Sequence, residues 1–246
     1  PETVMDYAAT SQRQRHVLPD GSVAWLNAHS RLRFAWAGPT AHTGARNVEL
    51  TGEAYFEVAP NPARPFLVQT TTAQVRVTCT AFNVRAFAAE DSVDVSVTHG
   101  RVWVRRQSAP DSVLLTANTR VAVHAADAPG HTVHALHRTK EEELNARAWQ
   151  TDTLRFQETS VAQVVHTLRM TFGTVVQVAN PRLAQCRFTG TFARPQPEQV
   201  LTVLAATTAS QLRADGPGRY QLQGAGCEAT TGPGMPASAD TLQTRR

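Results

Sequence analysis

Between residues 17 and 125 the apolar residues recur at every second position, whereas beyond about residue 150 they recur at every third and fourth. A period of two belongs to a strand with one buried face, and a period near 3.6 to an amphipathic helix. This change of period most constrains the fold. In VELTGEAYFEV (48–58) the even positions Val48, Leu50, Ala54, Phe56 and Val58 are apolar, and Glu49, Thr51, Glu53, Tyr55 and Glu57 alternate with them. A helix would also align Glu49, Glu53 and Glu57, but it would scatter Val48, Leu50 and Ala54 around its axis. The segment therefore reads as a half-buried strand, bent at Gly52, with its odd residues on the surface. More strands follow at Phe66 and Val68, Val75 and Val77, Val93 to Val97, Val102 and Val104, Val113 and Leu115, and Val121 and Val123. Turn residues such as Pro60, Asn61, Pro62 and Gly100 separate several of them. In VRVTCTAFNV the apolar phase moves from odd to even positions without a turn residue, which predicts a bulge or a change of sheet near Thr80.

The second half opens with a polar stretch and a short strand at 154–156. A helical stripe of Val161, Val164, Val165, Leu168 and Phe172 follows, with Ser160 and Gln163 spaced as a capping box and Gly173 as the stop. A strand, TVVQVA, comes next. The order then repeats: a strand to Phe192, a helix over 197–208, and strands around Asp215 to Gly218. The fold class is mainly β plus α+β: an all-β module of short antiparallel strands, then a small domain of two β-α-β units.

Composition excludes several functions. The chain of 246 residues is 41% hydrophobic and carries a net charge of +4, with Lys140 its only lysine. Its arginines are scattered, so the clustered charge of a nucleic-acid binder is missing. No apolar run approaches the ~20 residues that cross a bilayer. The chain begins at Pro1 rather than Met, which suggests a processed product or an excised soluble part. Cys79, Cys186 and Cys227 contain no CxxC pair, leaving two readings: three reduced thiols, or a Cys186–Cys227 bridge with Cys79 free. His124, His131, His134 and His137 crowd one segment at spacings that do not converge on a metal. Successive carboxylates of Glu49, Glu53 and Glu57 lie roughly 13 Å apart on a straight strand, too far for a glycosidase pair. They read as a solvated or docking face with cross-strand arginine partners. No catalytic constellation, cofactor motif or small-molecule substrate site emerges. One junction admits chemistry: a strained bend at Cys79–Thr80 would let the Thr80 hydroxyl attack the preceding carbonyl in an N-to-O acyl shift, against the plainer reading of a strand residue at a bulge.

LPDGSVAWLNAHSRLRF (18–34), RNVELTGEAYFEV (46–58), RPFLVQT (64–70), VRVTCTAFNVRAF (75–87) and VTHGRVWV (97–104) occur in the order seen in FecR-type anti-sigma regulators, and the first half resembles their periplasmic part. Trp149 to Phe156, FTGTF (188–192) and the duplicated β-α-β pattern make the second half similar to the secretin and TonB short N-terminal domain that follows in that family. The resemblance implies a lead-in at 1–16 near the membrane, a sensor domain at 17–138, a linker at 139–150 and the small domain at 151–223; the tail at 224–246, which the family does not explain, lacks a periodic apolar face and is expected to be disordered. It further implies a periplasmic location within a single-pass inner-membrane protein. The implied partners are the signalling domain of a TonB-dependent outer-membrane transporter, an extracytoplasmic-function sigma factor bound through a cytoplasmic segment, and periplasmic and membrane proteases. Iron or siderophore uptake is the implied setting. Glu49, Glu53, Tyr55 and Glu57 are the expected partner surface. Relatives that cut themselves do so at a Gly-Thr bond where this chain has Cys79–Thr80, so self-cleavage is expected to be slow or absent. The alternatives from other classes are a cell-envelope enzyme on a β scaffold, and a carbohydrate-binding or structural adaptor.

Overall fold

The computed structural model describes residues 2–38, 44–109, 111–124, 135–137 and 140–227, without the side chains of 140, 141 and 143. The first domain is built from β1 (Thr3–Ala9), β2 (Gln14–Val17), β3 (Val23–Leu26), β4 (Ser30–Trp36), β5 (Arg46–Glu57), β6 (Phe66–Gln69), β7 (Ala73–Val77), β8 (Ala81–Ala86), β9 (Ser92–His99), β10 (Arg101–Arg106), β11 (Ser112–Thr116), β12 (Thr119–His124) and β13 (Leu136–His137).

One strand explains the architecture. The first half of β5 pairs with β4 and, in parallel, with β6; its second half pairs with β3 and β8. One layer therefore runs β11-β10-β7-β6-β5-β4-β1 and the other β2-β3-β5-β8-β9-β12-β13, with β5 common to both. The bend falls at Gly52, where φ is +99° and an added Cβ would lie 2.7 Å from the Ser30 Cα. Only glycine meets both conditions. Ser30 in turn accepts a hydrogen bond from the Glu53 amide at 2.8 Å. The even residues Val48, Leu50, Ala54 and Phe56 face inward on both sides of the bend. Phe66 of one layer meets Phe56 of the other at 5.6 Å between ring centres, with Phe34 beside Phe66 at 6.1 Å and Phe82 beside Phe56 at 5.3 Å. At one end of this core Arg46, 1% exposed, pairs with buried Asp20 at 2.8 Å and donates to the carbonyls of Ala59 and Arg64. The chain also changes layers between β7 and β8, next to Thr80, and a register shift follows between Ala81 and Phe82.

Two segments outside the expected domains also carry regular structure. Most of the proposed lead-in is folded: β1 pairs with β4 and β2 with β3, because Met5 and Tyr7 alternate inward onto the core. The proposed linker holds two short helices, α1 (Lys140–Ala146) and α2 (Ala148–Thr151). Asn145 fastens α1 to the next strand, accepting from the Arg155 amide at 2.9 Å and donating to its carbonyl at 2.6 Å.

The second domain comprises β14 (Thr153–Ser160), α3 (Val161–Phe172), β15 (Val175–Val178), α4 (Pro181–Gln185), β16 (Arg187–Ala193), α5 (Pro197–Thr207), β17 (Gln211–Ala214) and β18 (Arg219–Gln223). Ser160 caps α3 by accepting from the Gln163 amide, and Gly173 ends it with φ +70°. The two β-α-β units interlock: β14 pairs antiparallel with β16, while β15 pairs parallel with β18, whose other neighbour is β17. Phe156, Phe188, Leu168, Leu183, Leu201 and Leu204 fill a core of its own. Cys186 and Cys227 form a disulfide, Cα atoms 5.5 Å apart, which ties the segment after β18 to the start of β16. Asn180 holds the same segment by donating to the carbonyls of Gly224 and Ala225. Residues 228–246 of the proposed tail lie outside the described residues.

Candidate functional site

The four residues expected as one partner surface separate into two groups. Glu49 and Glu57 are exposed, and Arg33 stands 3.7 Å from Glu49 across the β4–β5 pair. Glu53 and Tyr55 are buried, at 4% and 2% exposure, which corrects the expectation that all four face solvent. Period-two alternation places them on the outer face of their layer, and the second domain covers that face. The Arg147 guanidinium lies 4.1 Å over the Tyr55 ring. Arg13, on the turn between β1 and β2, pairs with both Asp152 carboxylate oxygens and donates to the Trp149 carbonyl at 2.9 Å.

Beneath this cover the register builds a cross-strand charge row: Glu53 on β5 opposes Arg85 on β8, which opposes Asp94 on β9. Glu53 accepts from Asn27 at 2.9 Å, Asn83 at 2.9 Å and Arg85 at 3.0 Å. Arg85 also grips Glu90, and Arg120 pairs with Asp94 at 2.9 Å. Burial pushes the Glu53 carboxyl above its ordinary value, against the pull of Arg85, Asn83 and Asn27. Burial pulls Arg85 down, but Glu53 and Glu90 overcome it and hold the guanidinium more firmly charged.

A cavity of about 80 Å³ remains at the seam, between Glu53, Asn83 and Arg85 on one wall and Trp149, His166 and Met170 on the other. Asn83 Oδ1 and Trp149 Nε1 are buried there without a hydrogen-bond partner among the described residues. Glu53, held by three donors of the first domain and roofed over, is committed to the cross-strand network beneath the second domain. Asn27, Asn83, Arg85, Arg147 and Trp149 complete this seam, and none of them was expected as a site residue. The usable signal was Asn83 and Arg85 on the outer face of a strand, positions where Asn is disfavoured unless it finds a partner.

At the other candidate junction Cys79 is exposed and free, whereas Thr80 is 4% exposed. The Thr80 hydroxyl donates to the Arg101 carbonyl at 3.0 Å. The β9–β10 turn presses on the same bend, since a Cβ at Gly100 would lie 2.7 Å from the Cys79 carbonyl oxygen. His124 ends β12 and His137 lies in β13, while His131 and His134 fall outside the described residues. Among the described residues no group of three or more His, Cys, Asp or Glu could hold a metal. None of their helices is long and apolar enough to cross a membrane.

A bent β-sandwich packed against an interlocked α+β domain defines a two-domain, mainly β class of protein. Residues 6–103 match the model of the FecR protein family and residues 153–217 that of the FecR C-terminal domain. The chain belongs to the FecR-type anti-sigma regulators. Two crystal structures of a candidate anti-sigma factor from Parabacteroides distasonis ATCC 8503, at 1.65 Å and 2.50 Å resolution, share its fold with TM-scores of 0.63 and 0.62. Each is 24% identical in sequence, and each comparison covers 89% of this chain and 98% of the other. Among curated proteins none matches.

Proposed function

We propose that this chain is the periplasmic receiver of a transmembrane anti-sigma regulator. It takes its signal from the N-terminal signalling domain of a TonB-dependent outer-membrane transporter and controls release of an extracytoplasmic-function sigma factor for uptake of iron, siderophores or a related nutrient. Periplasmic and membrane proteases complete the release. The observation that carries this reading is the pair of family matches, in family order, on two domains packed through one polar seam. The test places a reporter behind the sigma factor's promoter in a strain carrying the whole regulator. Removing residues 153–223 should make the output indifferent to the transporter's ligand; an unchanged response to ligand would overturn the reading.

The chain acts by binding. We further propose that Cys79–Thr80 cleaves slowly or not at all, because the Thr80 hydroxyl is committed to Arg101 and the preceding residue carries a side chain. Freshly purified protein should run as one band on a denaturing gel, and half-complete cleavage into fragments ending at Cys79 would contradict this.

A further inference from the structure

The outer face of the layer ending in β11 has two halves of different charge. On the β1–β4–β5 half the arginines are neutralised, Arg31 by Asp6 at 3.4 Å and Arg33 by Glu49 at 3.7 Å. On the β7–β10–β11 half Arg76, Arg101 and Arg105 are exposed on the same face. Among the described residues none of these three has a carboxylate within ion-pair distance; Arg105 reaches only Gln74, at 3.0 Å.

Trp103, 46% exposed, stands among them. Arg76 is its cross-strand neighbour on β7 and Leu114, 38% exposed, its neighbour on β11. Arg101 and Arg105 flank it along β10 at the two-residue spacing that keeps them on its face. An exposed tryptophan ringed by guanidinium groups has the composition of a protein-binding hot spot. Three like charges so close repel one another until carboxylates arrive, and arginine's planar fork suits bidentate carboxylate pairing.

We propose that this face docks an acidic protein surface, with Trp103 as the apolar anchor and Arg76, Arg101 and Arg105 as carboxylate ligands. The proposal rests on the receiver reading above and assigns the docking to the first domain. A membrane is the weaker fit, because interfacial insertion needs a broad apolar face and only Trp103 and Leu114 supply one here. A second copy is also a weaker fit, because the carboxylates on the neighbouring half of the face, Asp6 and Glu49, already have arginine partners.

The experiment immobilises the transporter's signalling domain and measures the affinity of the intact chain, of Trp103→Ala and of Arg76→Glu/Arg105→Glu. Arg213→Glu, on exposed β17 of the second domain, serves as a single-charge control. Each patch variant should bind about tenfold more weakly or worse with an unchanged melting temperature. Added salt should weaken the wild type more steeply than Arg76→Glu/Arg105→Glu, and Arg213→Glu should bind as the wild type does. Wild-type affinity in both patch variants would overturn the patch and leave the receiver reading standing. No binding by the wild type would overturn the two together. Trp103-dependent binding to anionic phosphatidylglycerol vesicles, or Trp103-dependent dimers, with signalling-domain affinity unchanged, would reassign the face and overturn the proposal.

Discussion

Glu53 is the residue on which the sequence and the folded chain diverge most. Its odd position in a period-two strand placed it outside the sandwich core, which is where it is; the pattern of one strand carries no information about what a distant helix pair lays over that face. The same holds for Tyr55, which meets Arg147 from nearly a hundred residues away. Burial is the first cause of the raised Glu53 pKa. A carboxyl whose folded-state pKa is raised keeps its proton longer in the native state than in the unfolded chain. Its stabilising contribution is therefore complete below the unfolded value of about 4.3 and is lost as pH rises through the folded value. Glu53→Gln cannot titrate, so the unfolding free energy of the wild type relative to this variant should fall as pH climbs from about 4. Urea unfolding across pH 4 to about 8 measures this, and a relative stability that rises with pH would contradict it.

At the scale of elements, β5 was the most legible and most of its consequences followed from it. Alternation fixed its inward face and Gly52 marked its bend, while the phase change near Thr80 announced the passage between layers. Gly52→Ala should cost about 2–5 kcal/mol in denaturant unfolding, because it combines a positive φ with overlap on the Ser30 backbone. A loss below about 0.5 kcal/mol, the range of an inert surface change, would show that the bend has other supports. The helical stripes, the Ser160 cap and the Gly173 stop were equally readable, because each rests on neighbours within four residues. What stayed hidden was pairing at long range. Strand β14 joins β16 rather than its own unit, and the polar segment 140–151 forms helices fastened by Asn145, whose partner lies ten residues on. In β1 the inward Met5 and Tyr7 did carry the period-two signal, but the window was short and edge strands bury only part of each side chain.

For the whole molecule, the seam decides whether the two domains move as one. The Arg13–Asp152 pair is partly exposed and is worth ~0–1 kcal/mol by itself. Most of the coupling should come from Arg147 on Tyr55 and from Trp149 at the cavity wall. Arg147→Ala with Trp149→Ala should raise the radius of gyration in small-angle scattering while circular dichroism stays unchanged; an unchanged radius would place the coupling elsewhere. A receiver that moves as one body can pass a contact on one domain to the other, and this links the seam to the proposed relay. The measurement that tests the relay most directly is a calorimetric titration of the intact chain with the isolated periplasmic signalling domain of its transporter. Saturable binding of one signalling domain per chain is the expected result. No heat of binding up to high micromolar concentration would contradict it.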